Sequence, residues 1–176
     1  MVVIIIGVLA ALSYNLISPY VDPTDAAERT SMLMRETARR ASEGGPVRSD
    51  VVTQLGLAPK PPRARLHVTA GSPRTIAVEV LTEDPLPAHT ANWTQVQTMT
   101  VPAEVTLKGW RQTSDLAGGV GPAVALAATD QVVIQCYTNS TCDSATLYFD
   151  VTAGDPGPAR VVLMPLGGAP VTYNSW

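Results

Sequence analysis

Two histidines and two cysteines are the residues of this chain best suited to acid–base, metal or redox chemistry. His67 lies in an alternating stretch that predicts a strand, and His89 in a proline-rich stretch that predicts a loop. Neither position suggests catalysis or metal ligation, and neither role is expected. Two cysteines alone cannot complete a zinc site. Cys136 and Cys142 have five residues between them and read either as two buried thiols or as a disulfide across the polar turn they flank. In an oxidising compartment the disulfide is the reading, closing a loop worth about 2 kcal/mol by chain entropy. Asp150 and Asp155 flank a Gly/Pro-rich loop where two carboxylates can hold Ca²⁺; the expectation is that both are simply solvated. Gly118-Gly119-Val120-Gly121 has the glycines of a phosphate cradle without the strand–helix context, and reads as a loop. The chain has no nucleophile elbow, Walker A loop, His-Glu-x-x-His helix or EF-hand loop. It is expected not to be an enzyme and to carry no cofactor.

Charge argues in the same direction. Twelve Lys and Arg stand against fifteen Asp and Glu, a net charge of -3. Beyond Arg111 the single basic residue is Arg160, against Asp115, Asp130, Asp143, Asp150 and Asp155. A phosphate-tracking surface needs the opposite balance, so nucleic acid is disfavoured as a partner on these residues. Lys60, Arg63, Arg65 and Arg74 lie close in sequence and read as a solvated patch. A chain of 176 residues with 45% hydrophobic and 15% charged residues can build a real core and is not disordered as a whole.

The elements that hold these residues begin with an apolar run. Met1 to Leu12 contains no polar side chain, and no Lys or Arg occurs before Arg29. The run lacks the positive start and small-residue cleavage site of a signal peptide, and at about 18 residues it is slightly short of a full membrane span. On hydropathy alone it reads as a single-pass or signal anchor. Asp22-Pro23-Thr24-Asp25 then reads as a helix start: Asp22 caps, Pro23 suits the first helical position and Asp25 sits three residues after the cap. The helix is expected to run to Gly44-Gly45-Pro46. Ala27, Met34, Ala38 and Ala41 share one face with Leu33 beside them, and Glu36–Arg40 and Arg39–Glu43 pair on the other side. Pro19 predicts a kink between the apolar run and this helix.

After a stiff, solvated connector at 59–65, alternating runs predict about eight short strands: 65–69, 75–82, 93–100, 104–110, 132–137, 145–151, 160–164 and 170–173. Gly71-Ser72-Pro73 predicts a hairpin between the first two, 81–91 a proline-bearing loop, and 112–122 a weak region. The runs 132–137 and 145–151 read as a hairpin whose turn the cysteines flank, and the last two runs close around Gly167-Gly168. Fifteen prolines and thirteen glycines fit this loop-rich plan. Helix first and strands after predicts an α+β chain rather than a parallel sheet.

The start, with Gly7-Val8-Leu9-Ala10-Ala11 inside its apolar run, resembles that of type IV pilins and type II secretion pseudopilins. The order of the remainder is similar to GspH/FimU-type minor pilins. There a Trp-bearing strand (here Trp93) leads to a Pro-x-x-Val-x-Leu strand (here Pro102-Ala103-Glu104-Val105-Thr106-Leu107). An apolar strand, a polar turn, a second strand and a Gly-bearing last hairpin follow; here these are 132–136, 137–144, 145–149 and 160–172. The resemblance covers most of the chain. It implies a pilin-like N-terminal helix, apolar half then amphipathic half, packed on an antiparallel β-sandwich-like head. Residues 1–21 would be the membrane and filament-core helix, 22–45 the amphipathic helix and 46–176 the periplasmic head.

In that scheme Val2, Val3, Ile4, Ile5, Ile6, Gly7, Val8, Leu9, Ala10, Ala11 and Leu12 sit in the inner membrane and later in the filament core. Gly7, Ala10 and Ala11 would permit close helix approach. Ala27, Leu33, Met34, Ala38 and Ala41 would pack the helix on the head. The family's leader, processing Gly and Phe-Thr-Leu-Ile-Glu are absent from the sequence, so the expectation is a true start about seven mature residues upstream. The resemblance implies a structural subunit of a pilus or secretion pseudopilus, in a tip or priming complex. It implies as partners other pilins or pseudopilins, the inner-membrane assembly platform and prepilin peptidase. Given this bacterial resemblance, Asn139-Ser140-Thr141 reads as a turn rather than a glycan acceptor. The alternative is a membrane-anchored β-sandwich binding or adhesion module that never polymerises, with Trp93, Trp110 and Trp176 as candidate contacts.

Overall fold

The computed structural model describes residues 22–54, 57, 60–83, 91–151, 157–164 and 169–176. The apolar run with Val2 to Leu12, the kink expected at Pro19, His89, Asp155 and the turn at Gly167-Gly168 lie outside the described residues.

The first element among the described residues, helix α1 (Pro23–Glu43), begins at its expected cap. Asp22 is extended, with φ -88° and ψ 134°, and its carboxylate accepts the Thr24 N–H at 2.7 Å. That bond satisfies one of the amides a helix start leaves unpaired. The helix ends where the Gly44 N–H reaches back to the Arg40 carbonyl at 3.0 Å. A short helix α2 (Ser49–Gln54) follows, not anticipated from the sequence.

Among the described residues nine strands come next: β1 (Ala64–Thr69), β2 (Thr75–Glu83), β3 (Ala91–Thr100), β4 (Val105–Arg111), β5 (Val124–Ala125), β6 (Gln131–Cys136), β7 (Ala145–Val151), β8 (Ala159–Leu163) and β9 (Val171–Tyr173). They form two antiparallel sheets, β3-β2-β1-β6 and β5-β4-β7-β8-β9. The hairpin across Gly71-Ser72-Pro73 forms as expected, with a cis Ser72–Pro73 bond. The chain is therefore α+β, with one long helix among the described residues preceding antiparallel sheets.

One core joins the three layers. Leu66, Val68, Ile76, Val78 and Ile134 from the first sheet meet Val105, Leu107, Leu147, Phe149 and Val161 from the second. Ala27, Leu33, Met34 and Ala41 of α1 belong to the same cluster. The helix packs against β1, β2 and β6 on one side and β7, β8 and β9 on the other.

Four local expectations are corrected. The runs at 132–137 and 145–151 do not pair as a hairpin: β6 adds to β1 in the first sheet, while β7 lies between β4 and β8 in the second. Only the turn itself is hairpin-like, with Tyr137 N–H bonded to the Thr141 carbonyl and a single bridge between the two cysteines. Strand alternation cannot tell one sheet from another, because both bury their inner residues in the same core. The connector is docked rather than solvated at its end, since the Arg63 N–H bonds the Cys136 carbonyl and Ala64 is fully buried in β1. The loop expected over 81–91 is shorter, because β2 runs on to Glu83 and β3 starts at Ala91. Finally, β5 forms just beyond the weak region, where no alternation announces it.

Candidate functional site

Among the described residues, His67 and Asp150 have structural partners. The His67 ring lies between Glu79, 3.0 Å from Nδ1, and Gln131, 3.1 Å from Nε2. Burial raises the Glu79 carboxyl pKa, but hydrogen bonds from His67 and Arg65 outweigh it and hold the group below its ordinary value. Asp150 accepts its neighbour's N–H at Val151 and pairs with Lys108 at 3.6 Å. Among the described residues no three His, Cys, Asp or Glu side chains cluster as a metal site. The supposed basic patch is largely neutralised: Arg63 pairs with Glu83, and Arg65 pairs with Glu79 while stacking on Trp93 at 4.2 Å. Arg74 bonds the Ala103 and Val105 carbonyls. Charges that read as solvated in sequence are cross-strand partners in space.

Helix α1 is the first surface of interest. Ala27, Leu33, Met34 and Ala41 are buried on it, and Ala38 packs at their edge. Ala26, Thr30, Ser31 and Thr37 complete this face and escape the sequence reading. The 26, 30, 33, 37, 41 spacing is the available signal. Threonine hides it, because its hydroxyl counts as polar until bonded to the backbone. Thr30 and Thr37 donate to the carbonyls four residues back at 2.6 and 2.7 Å, so each buries a satisfied group. On the opposite face Arg39 bridges Glu36 and Glu43, and Arg40 also reaches Glu36. Hydrogen bonds from Arg39 and Arg40 lower the Glu36 pKa to about 2. The helix thus carries a broad, low-relief face inward and a charged ladder outward.

Cys136 and Cys142 form a disulfide, with Cα atoms 4.0 Å apart. It clamps the point where the chain leaves the first sheet for the second. The Asn139 carboxamide oxygen accepts both the N–H and the hydroxyl of Thr141, shaping the turn.

The outer face of the second sheet holds a buried polar network that the sequence does not reveal. Arg160, 2% exposed, donates to the carbonyls of Asp115 at 3.0 Å, Leu116 at 3.2 Å and Ser175. Its guanidinium also stacks on Tyr173 at 4.0 Å. The Asp115 carboxylate accepts the Tyr148 hydroxyl at 2.8 Å and the Gly118 N–H at 3.0 Å. Burial, then the bond to Asp115, pushes the Tyr148 phenol up to about 12. The Trp176 ring meets Tyr148 edge-on at 5.5 Å, and its indole N–H bonds the Phe149 carbonyl at 3.0 Å. Trp176 is therefore a structural contact, and Trp110 is packed against the core. The sequence signal is Arg160 itself, a lone cation in the apolar run of β8. A charge there needs a buried partner set.

Among the described residues no helix is long and apolar enough to cross a membrane. Among the described residues the geometry is that of one long helix laid across two antiparallel sheets. No family profile and no curated protein sequence matches the chain. Among solved structures, the chain is similar to the minor pseudopilin EpsH from the type 2 secretion system of Vibrio cholerae. That match has a TM-score of 0.51 at 12% identity, over 86% of this chain and 96% of that one. At this identity the likeness is one of fold: the chain has a pseudopilin-like fold.

Proposed function

We propose that this chain is a minor pilin or pseudopilin, a structural rather than enzymatic subunit of a type IV pilus or type II secretion pseudopilus. The observation that carries the reading is α1, whose buried face of small residues lies across both sheets in a pseudopilin-like fold. In this reading residues 1–21 continue the helix as an apolar half. They anchor the subunit in the inner membrane, then exchange lipid for neighbouring helices in the filament core. Residues 22–45 attach that helix to the head through Ala27, Leu33, Met34, Ala38 and Ala41, and residues 46–176 form a periplasmic head. Partners are other pilins or pseudopilins, with the assembly platform and prepilin peptidase acting before assembly, and a tip or priming complex is the place of action. The disulfide suits an oxidising periplasm.

The test is the native N-terminus, read by intact mass and N-terminal fragmentation of protein taken from the producing cell's membranes. A processed, N-methylated terminus is expected. An unprocessed, unmethylated terminus would sink the filament reading and favour an anchored binding module.

A further inference from the structure

Residues 116–128, Leu-Ala-Gly-Gly-Val-Gly-Pro-Ala-Val-Ala-Leu-Ala-Ala, contain no polar side chain, yet the segment lies at the surface. Val120 is 63% exposed, Val124 50% and Leu116 47%. The arrangement is inside out. Polar groups hold the segment from beneath: Arg160 binds the Asp115 and Leu116 carbonyls, Asp115 binds the Gly118 N–H and Arg111 binds the Gly121 carbonyl at 3.0 Å. The side chains of Leu116, Val120 and Val124 face out, whereas Leu126 packs against the core. Gly118 has φ +76°, and a side chain there would strike the Arg160 guanidinium at 2.8 Å, so the loop's shape depends on that glycine. An apolar surface held in a defined shape before anything binds is built for contact, because little ordering remains to oppose binding.

We infer that residues 116–128 dock against an uncharged, apolar face of a neighbouring subunit that is itself held in the same membrane or filament. This rests on the subunit reading above and names the surface that reading lacks. Size and charge choose the occupant. A strip of this length exposes at most about a few hundred Å² of apolar surface, a size that is often functional but short of the roughly 800 Å² per partner of a stable free complex. Its occupant therefore needs a second attachment, which raises its local concentration. A lipid surface is disfavoured because nearby cations are engaged. Arg111 and Arg160 bind carbonyls and Lys108 pairs with Asp150, whereas surface-bound apolar segments draw on free Lys and Arg.

The test places a benzophenone amino acid at Val120 or Val124 of the full chain in the producing cells, with Val96 and Val133 of the first sheet as controls. After irradiation, adducts are sequenced by mass spectrometry. The expected adduct joins the strip to an uncharged apolar segment of a membrane- or filament-anchored subunit, at least about tenfold above the controls. It falls about a hundredfold when membranes are dissolved in detergent and diluted before irradiation. Val120→Glu, with an unchanged melting curve, removes the adduct from Val124. Lipid adducts alone, equal yields at all four positions, or a self-adduct that survives dilution would overturn the inference. If the N-terminus proves unprocessed while the tether-dependent adduct persists, the pilin reading fails and the docking surface stands. If the N-terminus is methylated and the strip yields nothing above controls, the docking surface alone fails.

Discussion

Replacing Arg160 with alanine tests whether one buried cation organises the outer layer of the second sheet. Arg160 is 2% exposed, and its guanidinium bonds three carbonyls, those of Asp115, Leu116 and Ser175, while stacking on Tyr173. Each charge-assisted bond of this kind contributes about 1.5–3 kcal/mol in isolation, but the three share one side chain and do not add. Breaking a buried charged set by removing one member typically costs about 3–5 kcal/mol, and that is the expected loss. For a chain of this size it corresponds to roughly 6–20 °C in melting temperature. Arg160→Lys keeps the charge but cannot span three carbonyls, so about half the loss should remain. The assay is urea unfolding of the full chain in detergent, followed by far-UV circular dichroism, with amide hydrogen exchange read at Gly118. The Gly118 amide bonds Asp115 and should lose protection in Arg160→Ala before the strands do. A loss below about 1 kcal/mol with Gly118 still protected would refute this account of the network.

Four further outcomes are expected. Gly109→Ala should detach β5 from β4, since its Cβ would lie 2.6 Å from Pro122 and still nearer the Val124 carbonyl; exchange of the Leu126 amide, bonded to the Lys108 carbonyl, reports it. Ala27→Leu puts extra volume at a fully buried helix position and should cost about 1–3 kcal/mol in urea unfolding, whereas Met32→Ala, 64% exposed, should cost little. Cys136→Ser with Cys142→Ser opens the clamp between the sheets and should cost about 2 kcal/mol, measured against the oxidised parent. The pH profile has two limbs. The Glu36 pKa is lower when folded than unfolded, so its contribution is present above about pH 4.5 and fades as pH falls towards 2. The Tyr148 pKa is higher when folded, so its contribution is full below about pH 10 and is lost as pH rises through 12. Glu36→Gln should flatten the acid limb and Tyr148→Phe the alkaline one, as followed by melting temperature.

Local chemistry is legible in the sequence. Asp22 and Pro23 announce the start of α1 because capping needs only residues within one turn. The Glu36, Arg39, Arg40 and Glu43 ladder follows from helical spacing alone. The β1–β2 hairpin is signalled by its turn residues. The pairing of β6 and β7 is not legible, because two alternating runs joined by a polar turn look alike whether they pair or part. The true partners, β1 for β6 and β4 for β7, lie far along the chain.

By itself, then, the sequence determined the order of the long helix and the main strands, the start of that helix and its charged ladder, and the absence of recognisable catalytic motifs. These depend on interactions between residues a few positions apart. Only the tertiary structure decided which strands share a sheet and which charges are paired, as with Arg65 and Glu79 across β1 and β2. It also decided that a loop bare of polar side chains stands outward over Asp115, Tyr148 and Arg160. Those features join residues 14 to 45 positions apart. No local spacing encodes such a contact, because it exists only once the core has brought the two segments together.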